Sequence, residues 1–451
     1  MGLVREAGHE LTANAEDADI LVVNTCAFID EAKQESIDAI LEMAQLKTSN
    51  DGRAKRLVVT GCLGERYRDE LKKEIPEIDA VLGTGDVPEI VAAISGVKTS
   101  GASPLTFYGR NLKRTTQDSK LSSEFEVLSS KSSPTYLYDA STPRYISTPG
   151  HYAYIKIAEG CDYTCAFCII PTLRGSYRSR TEDSVVAEAE ALAARGVKEL
   201  LLISQDTTFY GNDRGQRGAL GRLLRRLNAV EGLAWIRLLY LYPTTITDDT
   251  LDAMAACEKV CKYVDLPLQH ASAGVLRRMR RPGNRQAYDK LLARIRTRVP
   301  GVTLRTTFIV GFPGETEAEF AELEAFIRET HFDHVGVFTY SHEEGTRAYA
   351  ADDDVPAAVK TKRRNALMRL QKQIVAARQK GRKGEIVRVM IDGPSADSPL
   401  VWQGRLEGQA PDIDAVVYLD RCDPEGLVPG SLIQARIEGA RGYDVVAAPV
   451  G

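Results

Sequence analysis

The sequence predicts an α/β chain in three parts: a small parallel α/β N-terminal domain, a partial TIM-like (βα)6 barrel, and a small OB-like β-barrel. Two stretches of alternating apolar strand and amphipathic helix patterns predict the first two parts. Five short strands separated by Gly, Pro and Asp turns predict the third. With 451 residues the chain is too long for one ordinary core. The boundaries are placed at 1–98, 99–148, 149–382 and 383–451.

In the first part, LVREAGHEL reads as a helix ending at Gly8, with no strand before it. ADILVVNTC (18–26) is a β-branched strand followed by a helical pattern, and RLVVTGC (56–62) and AVLGTGD (80–86) repeat the alternation. Cys26 and Cys62 fall at the carboxyl ends of their strands, the edge where open α/β sheets place ligands. Residues 99–148 are rich in Ser, Thr, Lys and Pro, a composition that cannot bury a core and reads as a flexible linker or insertion.

From 152 onward, strand candidates are YAYIKIA, ELLLISQ (199–205), WIRLLYLY (235–242), YVDLPLQ (263–269), TLRTTFIVG (303–311) and HVGVFTY (334–340). Helical patterns lie between them, and DSVVAEAEALAARG is closed by Gly196. Six such units make an incomplete barrel whose chemistry belongs at the strand carboxyl ends. A basic helix over 360–384 leads to EIVRVMI, LVWQGRL, AVVYLD, SLIQARIE and YDVVAA.

The chain has 58 Lys and Arg against 62 Asp and Glu, a net −4, so it is not a general trap for polyanions. No apolar run is long enough to cross a bilayer, and the start carries no signal-peptide core. A cytoplasmic location is expected, where thiols stay reduced. Eight cysteines in that setting point first to metal binding.

EGCDYTCAFCIIP reads Cys161-x3-Cys165-x2-Cys168, directly after a strand. Three thiolates on so short a loop can wrap one face of a cluster of four irons and leave one iron open. Structural zinc would need a fourth N or S ligand nearby. The nearest histidine is His151, before the strand, and the next cysteine downstream is Cys257. Packing alone fits poorly, because Asp162, Tyr163 and Thr164 make the loop polar.

This motif resembles the signature of the radical S-adenosylmethionine superfamily. The resemblance implies that Cys161, Cys165 and Cys168 hold a 4Fe-4S cluster whose open iron binds S-adenosylmethionine and cleaves it to a deoxyadenosyl radical. NTC (24–26), TGC (60–62), LISQDT, DLPLQH, RRMRRPG and FIVGFPGET resemble the methylthiotransferases of that superfamily, and the last barrel resembles their TRAM domain. Together with APDIDAVVYLD they resemble the type acting on ribosomal protein S twelve. The likeness covers nearly the whole chain except about 99–148.

The resemblance implies a second, auxiliary 4Fe-4S cluster on Cys26 and Cys62. It also implies a methylthio group added to the β-carbon of an aspartate, with a second S-adenosylmethionine as methyl donor. No catalytic residue beyond the cluster ligands is required. The expected partners are ribosomal protein S twelve or the small subunit, an electron donor such as flavodoxin or ferredoxin, and a sulfur source. A monomer is expected, with no membrane contact. The family's remaining auxiliary-cluster cysteine lies on a strand that this sequence lacks, so a start upstream of Met1 is expected.

Plainer readings stand beside several of these. From residue type alone, Cys26 and Cys62 are core cysteines at strand ends. Cys257 and Cys261, four apart on a predicted helix, read as packing. Ser204, Gln205 and Asp206 end the second barrel strand, where the superfamily contacts the cofactor. Gly311, Pro313, Gly314 and Glu315 close the fifth, where the backbone can approach the cofactor's adenosine and an ordinary strand–helix turn explains them equally well. Gln269 and His270 end the fourth, as substrate contact or structural pair. The basic helix is a solvated face or a phosphate contact.

The competing readings are a tRNA methylthiotransferase and a ribosome-associated iron–sulfur module without that activity. Residues 384–451 hold eleven Asp and Glu, five Arg and no Lys, a net −6. That balance favours a basic protein partner over tRNA.

Overall fold

The β-branched runs of the first hundred residues form the parallel sheet they predict. The computed structural model describes residues 1–49, 52–96, 134–396, 398–423 and 426–450. Most of the expected 99–148 linker therefore lies outside the described residues. The chain divides into two units, Met1–Tyr145 with Cys168–Ser176, and Ile146–Phe167 with Tyr177–Gly451.

In the first unit, β1 (Ile20–Thr25), β2 (Arg56–Gly61) and β3 (Ala80–Leu82) pair in that order, all parallel. Leu21, Leu57, Val59 and Val81 are buried against Ile40 and Ala44 of the helix Asp30–Thr48. Thr25 pairs with Gly61, so Cys26 and Cys62 follow directly from partnered residues. Gly61 has φ +101°, and a Cβ there would meet the Thr25 carbonyl oxygen at 2.5 Å. Only glycine lets the two strand ends run this close.

The second unit opens with β4 (Tyr152–Lys156) and continues through a clasp of β5 (Ala158–Glu159) and β6 (Arg178–Ser179), an antiparallel pair. β7 (Glu199–Ile203), β8 (Trp235–Leu238), β9 (Tyr263–Asp265), β10 (Thr303–Val310) and β11 (His334–Thr339) follow. β4-β7-β8 and β9-β10-β11 are parallel sheets. They are linked by a bridge between Ile236 and Val260. This is the expected six-stranded partial barrel.

The bridge also corrects one helix. The pattern through Cys261 predicts continuous helix, but the helix is Asp248–Ala256, and Cys257 is extended. Ile236 exchanges backbone hydrogen bonds with Lys259 and Cys261, so strand pairing wins over local propensity. Both cysteines are buried in apolar surroundings, as the packing reading requires. β9 is likewise shorter than predicted: Pro267 has no N–H to offer the ladder.

β12 (Ile386–Ser395), β13 (Ser398–Arg405), β14 (Val417–Leu419), β15 (Leu432–Arg441) and β16 (Asp444–Pro449) close a barrel in the order β12-β13-β14-β16-β15. Its segment 405–414 meets the amino-terminal ends of the larger barrel's strands. Arg405, buried, bonds Glu199 Oε2 at 2.5 Å and Asp392 Oδ2 at 2.9 Å. Arg237 bonds the other oxygen of Glu199 at 2.7 Å. Tyr152 donates to Asp412 and Tyr263 to Asp414. The −6 of this segment is therefore not all outward: Asp392 and Asp414 are engaged in these contacts, and Arg388, Arg421, Arg436 and Arg441 are exposed. Acidity of the barrel surface thus argues less for a basic partner than the sequence count suggests.

Candidate active site

In the second unit the carboxyl ends of the strands converge on the segment that carries Cys161 and Cys165. The β5–β6 clasp joins the ends of this segment, and the Tyr177 N–H donates to Asp162 Oδ1 at 3.0 Å. The Tyr163 ring stacks on Tyr242, 3.9 Å between centroids and 8° from parallel. Its hydroxyl donates to Asp206 Oδ2 at 2.8 Å. Ala166 is held on both sides, donating to the Met279 carbonyl and accepting from the Ala348 N–H.

Arg281 completes the frame. Its Nη1 donates to Cys165 Sγ at 3.7 Å and its Nη2 to the Pro267 carbonyl at 2.5 Å. Its guanidinium lies 4.3 Å over the Tyr242 ring. Cys161, Cys165 and Cys168 are all half-buried. Burial pushes the Cys161 thiol up to about 11.

Among the described residues no three His, Cys, Asp or Glu side chains gather closely enough for one metal ion. A four-iron cluster takes its thiolates at separate corners, farther apart than the ligands of one ion. In this unit Cys161 and Cys165 are half-buried thiols of the kind such a cluster takes, and the Arg281 cation beside the Cys165 sulfur suits its negative charge.

The predicted cofactor contacts differ in what they have left to offer. Asp206 is fully buried, and burial raises its pKa. Its Oδ1 accepts from Thr208 N–H, Thr208 Oγ1 and Phe209 N–H, and its Oδ2 from Tyr163 and Thr245. Five donors saturate the carboxylate. Ser204 lies 3.4 Å from both Tyr177 and Thr207 hydroxyls. Gln205, by contrast, has a buried Oε1 with no partner. Gly311 and Phe312 N–H groups both donate to Glu315 Oε2, and Arg278 donates to the Pro313 carbonyl. These contacts build a tight turn.

Gln269 and His270 add two more unfilled groups. Gln269 sits at φ +72°, a left-handed conformation that costs a non-glycine residue energy, and its buried Oε1 is unbonded. His270 Nδ1 accepts from Ser272 N–H at 3.0 Å, which leaves the proton on Nε2. That nitrogen has no hydrogen-bond partner and lies 3.9 Å from Glu315 Oε1. Sequence reasoning noted Gln269 but missed Tyr163, Tyr242 and Arg281 as the frame of the cysteine segment. RRMRRPG was the available signal for Arg281.

In the first unit, the Cys26 N–H donates to Ser36 Oγ at 3.0 Å. Arg174 Nη2 donates to Cys62 Sγ at 3.6 Å, and Thr84 Oγ1 to the Leu173 carbonyl at 2.6 Å. Cys26 is exposed and Cys62 buried.

A partial parallel barrel with a cysteine loop after its first strand is the architecture of a radical S-adenosylmethionine enzyme. The profile of the Radical SAM superfamily matches residues 155–327, that of Uncharacterized protein family UPF0004 matches 1–83, and that of the TRAM domain matches 384–450. The ribosomal protein uS12 methylthiotransferase RimO of Koribacter versatilis is 47% identical, covering 99% of this chain and 92% of its own. That of Pelotomaculum thermopropionicum is 44% identical, covering 100% and 95%. The chain belongs to the RimO family of ribosomal protein uS12 methylthiotransferases, and it is a transferase. Among solved structures, the radical S-adenosylmethionine methyltransferase TsrM of Kitasatospora setae shares the fold, with TM-score 0.50 and 18% identity over 71% of this chain and 61% of that one. Among the described residues no helix is long and apolar enough to cross a membrane.

Proposed function

We propose that this chain adds a methylthio group to the β-carbon of an aspartate in ribosomal protein S twelve, acting in the cytoplasm. Cys161, Cys165 and Cys168 would hold a 4Fe-4S cluster, which would supply the reductive chemistry on S-adenosylmethionine. The observation that carries this reading is the cysteine segment itself: half-buried thiols, a clasped loop, and Arg281 beside Cys165. The relatives' being ribosomal protein uS12 methylthiotransferases supports the substrate.

The cluster and its cofactor supply the radical chemistry when bound. The protein's own groups position and exclude water. Tyr163 and Tyr242 form an aromatic wall beside the loop. Gln205 and Gln269 offer buried oxygens to a donor such as the cofactor's amino group. Asp206 holds Tyr163 and the turn after β7 rather than the cofactor. Cys26 and Cys62 would hold an auxiliary cluster that would supply the sulfur chemistry. An electron donor of flavodoxin or ferredoxin type and a sulfur source complete the system.

The test is mass spectrometry of ribosomal protein S twelve from cells lacking this gene, complemented with the wild-type chain or with Cys161→Ala/Cys165→Ala/Cys168→Ala. The methylthio increment should return only with the wild type. An increment that persists without the gene overturns the substrate. Deoxyadenosine formation by the purified triple variant at the wild-type rate overturns the cluster assignment.

A further inference from the structure

The helix Ala357–Lys380 carries no acidic residue, and neither does the turn that follows it to Gly384. Leu367, Leu370, Gln371 and Val375 are buried on one side. At 100° per residue, Lys362, Arg369, Lys372 and Lys380 fall within an arc of about 80° on the opposite side. They span about 27 Å of helix at 1.5 Å per residue, and Lys383 follows in the turn beyond the helix end. All five are exposed, and none forms an ion pair or side-chain hydrogen bond with another described residue.

An ordinary solvated helix face mixes both signs. This unit does so elsewhere: Arg285 pairs with Asp289 and Glu329, Arg298 with Asp248 and Asp252, and Arg328 with Glu324. The row is different. Asn365, Gln373 and Ala376, all exposed, fill the spaces between its cations. No aromatic anchor is present of the kind that dominates protein–protein contacts. Long cations at intervals without apolar anchors suit a phosphate backbone.

We propose that Lys362, Arg369, Lys372, Lys380 and Lys383 form a contact surface for the phosphate backbone of small-subunit ribosomal RNA, reached when the enzyme engages its protein substrate on the ribosome. The inference rests on the ribosomal substrate proposed above. It gives the enzyme a second foothold, separate from the strand ends where the chemistry lies. Because the row makes no base-reading arrangement, its contribution is affinity and orientation, falling steeply with salt.

The experiment compares the wild-type holoenzyme with Lys362→Gln/Arg369→Gln/Lys372→Gln/Lys380→Gln/Lys383→Gln. Binding to deproteinised small-subunit ribosomal RNA is measured across a salt series, and methylthiolation is measured on free S twelve and on intact small subunits. For five lost phosphate contacts the slope of log affinity against log salt should shrink by about 4. Turnover on free S twelve should stay within twofold while turnover on subunits falls at least tenfold. An unchanged salt slope overturns the proposal. Loss of turnover on free S twelve also overturns it, because the row would then be contacting protein. If the wild type modifies neither substrate, the functional reading fails, while the RNA titration still decides whether the row binds phosphate.

Discussion

Arg281 donates a hydrogen bond to Cys165 Sγ at 3.7 Å with its guanidinium 4.3 Å over the ring of Tyr242. The side chain is half-buried, where a unit charge acts more strongly than in open solvent. A cluster with three thiolate ligands gains negative charge on reduction, and a fixed cation beside one sulfur stabilises the reduced form. In a background of Cys26→Ala/Cys62→Ala, Arg281→Gln should therefore move the midpoint potential to a more negative value at unchanged iron content. Arg281→Lys should fall between. Redox titration followed by electron paramagnetic resonance reads both. If Arg281→Gln titrates with the wild type, the contact is packing alone.

The ion-pair network at the other end of the barrel has a pH signature. Burial by itself would raise the Asp392 carboxyl, but the His151 hydrogen bond and the Arg405 charge outweigh it and hold the pKa below its ordinary value. A carboxylate held lower in the folded chain stabilises it above the unfolded value, about 4, and loses that contribution as pH falls through the folded value. Asp392→Asn should cost about 3 kcal/mol at neutral pH, because the buried Arg405 loses one of its two carboxylate partners. The gap to the wild type should close below about pH 4. Urea unfolding followed by fluorescence is the measurement, since Trp235 lies 6.0 Å from the Arg405 guanidinium. A gap that stays constant to pH 2 would place the effect elsewhere.

Much of this was legible in the sequence where the signal is local. Leu200, Leu201 and Leu202 form a run buried on both faces, and Gly196 closes its helix at positive φ. The three cysteines are legible because their spacing lies within eight residues. What was not legible depends on residues far apart. Arg281 meets Cys165 across 116 positions, and Arg405 meets Glu199 across 206. No periodicity encodes such pairs. The helix predicted through Cys261 failed for the same reason: pairing with Ile236 is decided by the barrel, not by the segment. Charge counting failed at Asp392 and Asp414, since a sequence does not say which acids face inward.

Gln205 and Asp206 are neighbours with opposite prospects. Gln205 keeps a buried oxygen unbonded, whereas Asp206 accepts five hydrogen bonds from its own protein. Gln205→Leu should weaken S-adenosylmethionine binding about tenfold, the loss of roughly one good hydrogen bond, with thermal stability within a degree or two of wild type. Asp206→Ala should instead lower the melting temperature and loosen the Tyr163 loop. Equilibrium binding and calorimetry on the reconstituted protein separate the two. If Asp206→Ala leaves stability intact and abolishes cofactor binding, the assignment of roles is reversed.

The pair at the strand ends of the first unit makes the last test. Parallel pairing of Thr25 with Gly61 sets Cys26 and Cys62 side by side in the sheet order, and Arg174 donates to Cys62 Sγ at 3.6 Å. The same combination, a cysteine sulfur and an arginine donor, recurs at Cys165 and Arg281. Two 4Fe-4S clusters would give about eight irons per chain after anaerobic reconstitution. Cys62→Ala should reduce that to about four while deoxyadenosine formation continues. Methylthio transfer should cease, because sulfur delivery would be lost and cofactor cleavage would not. If the wild type itself holds only about four irons, Cys26 and Cys62 hold no cluster, and the reading of an auxiliary cluster is overturned.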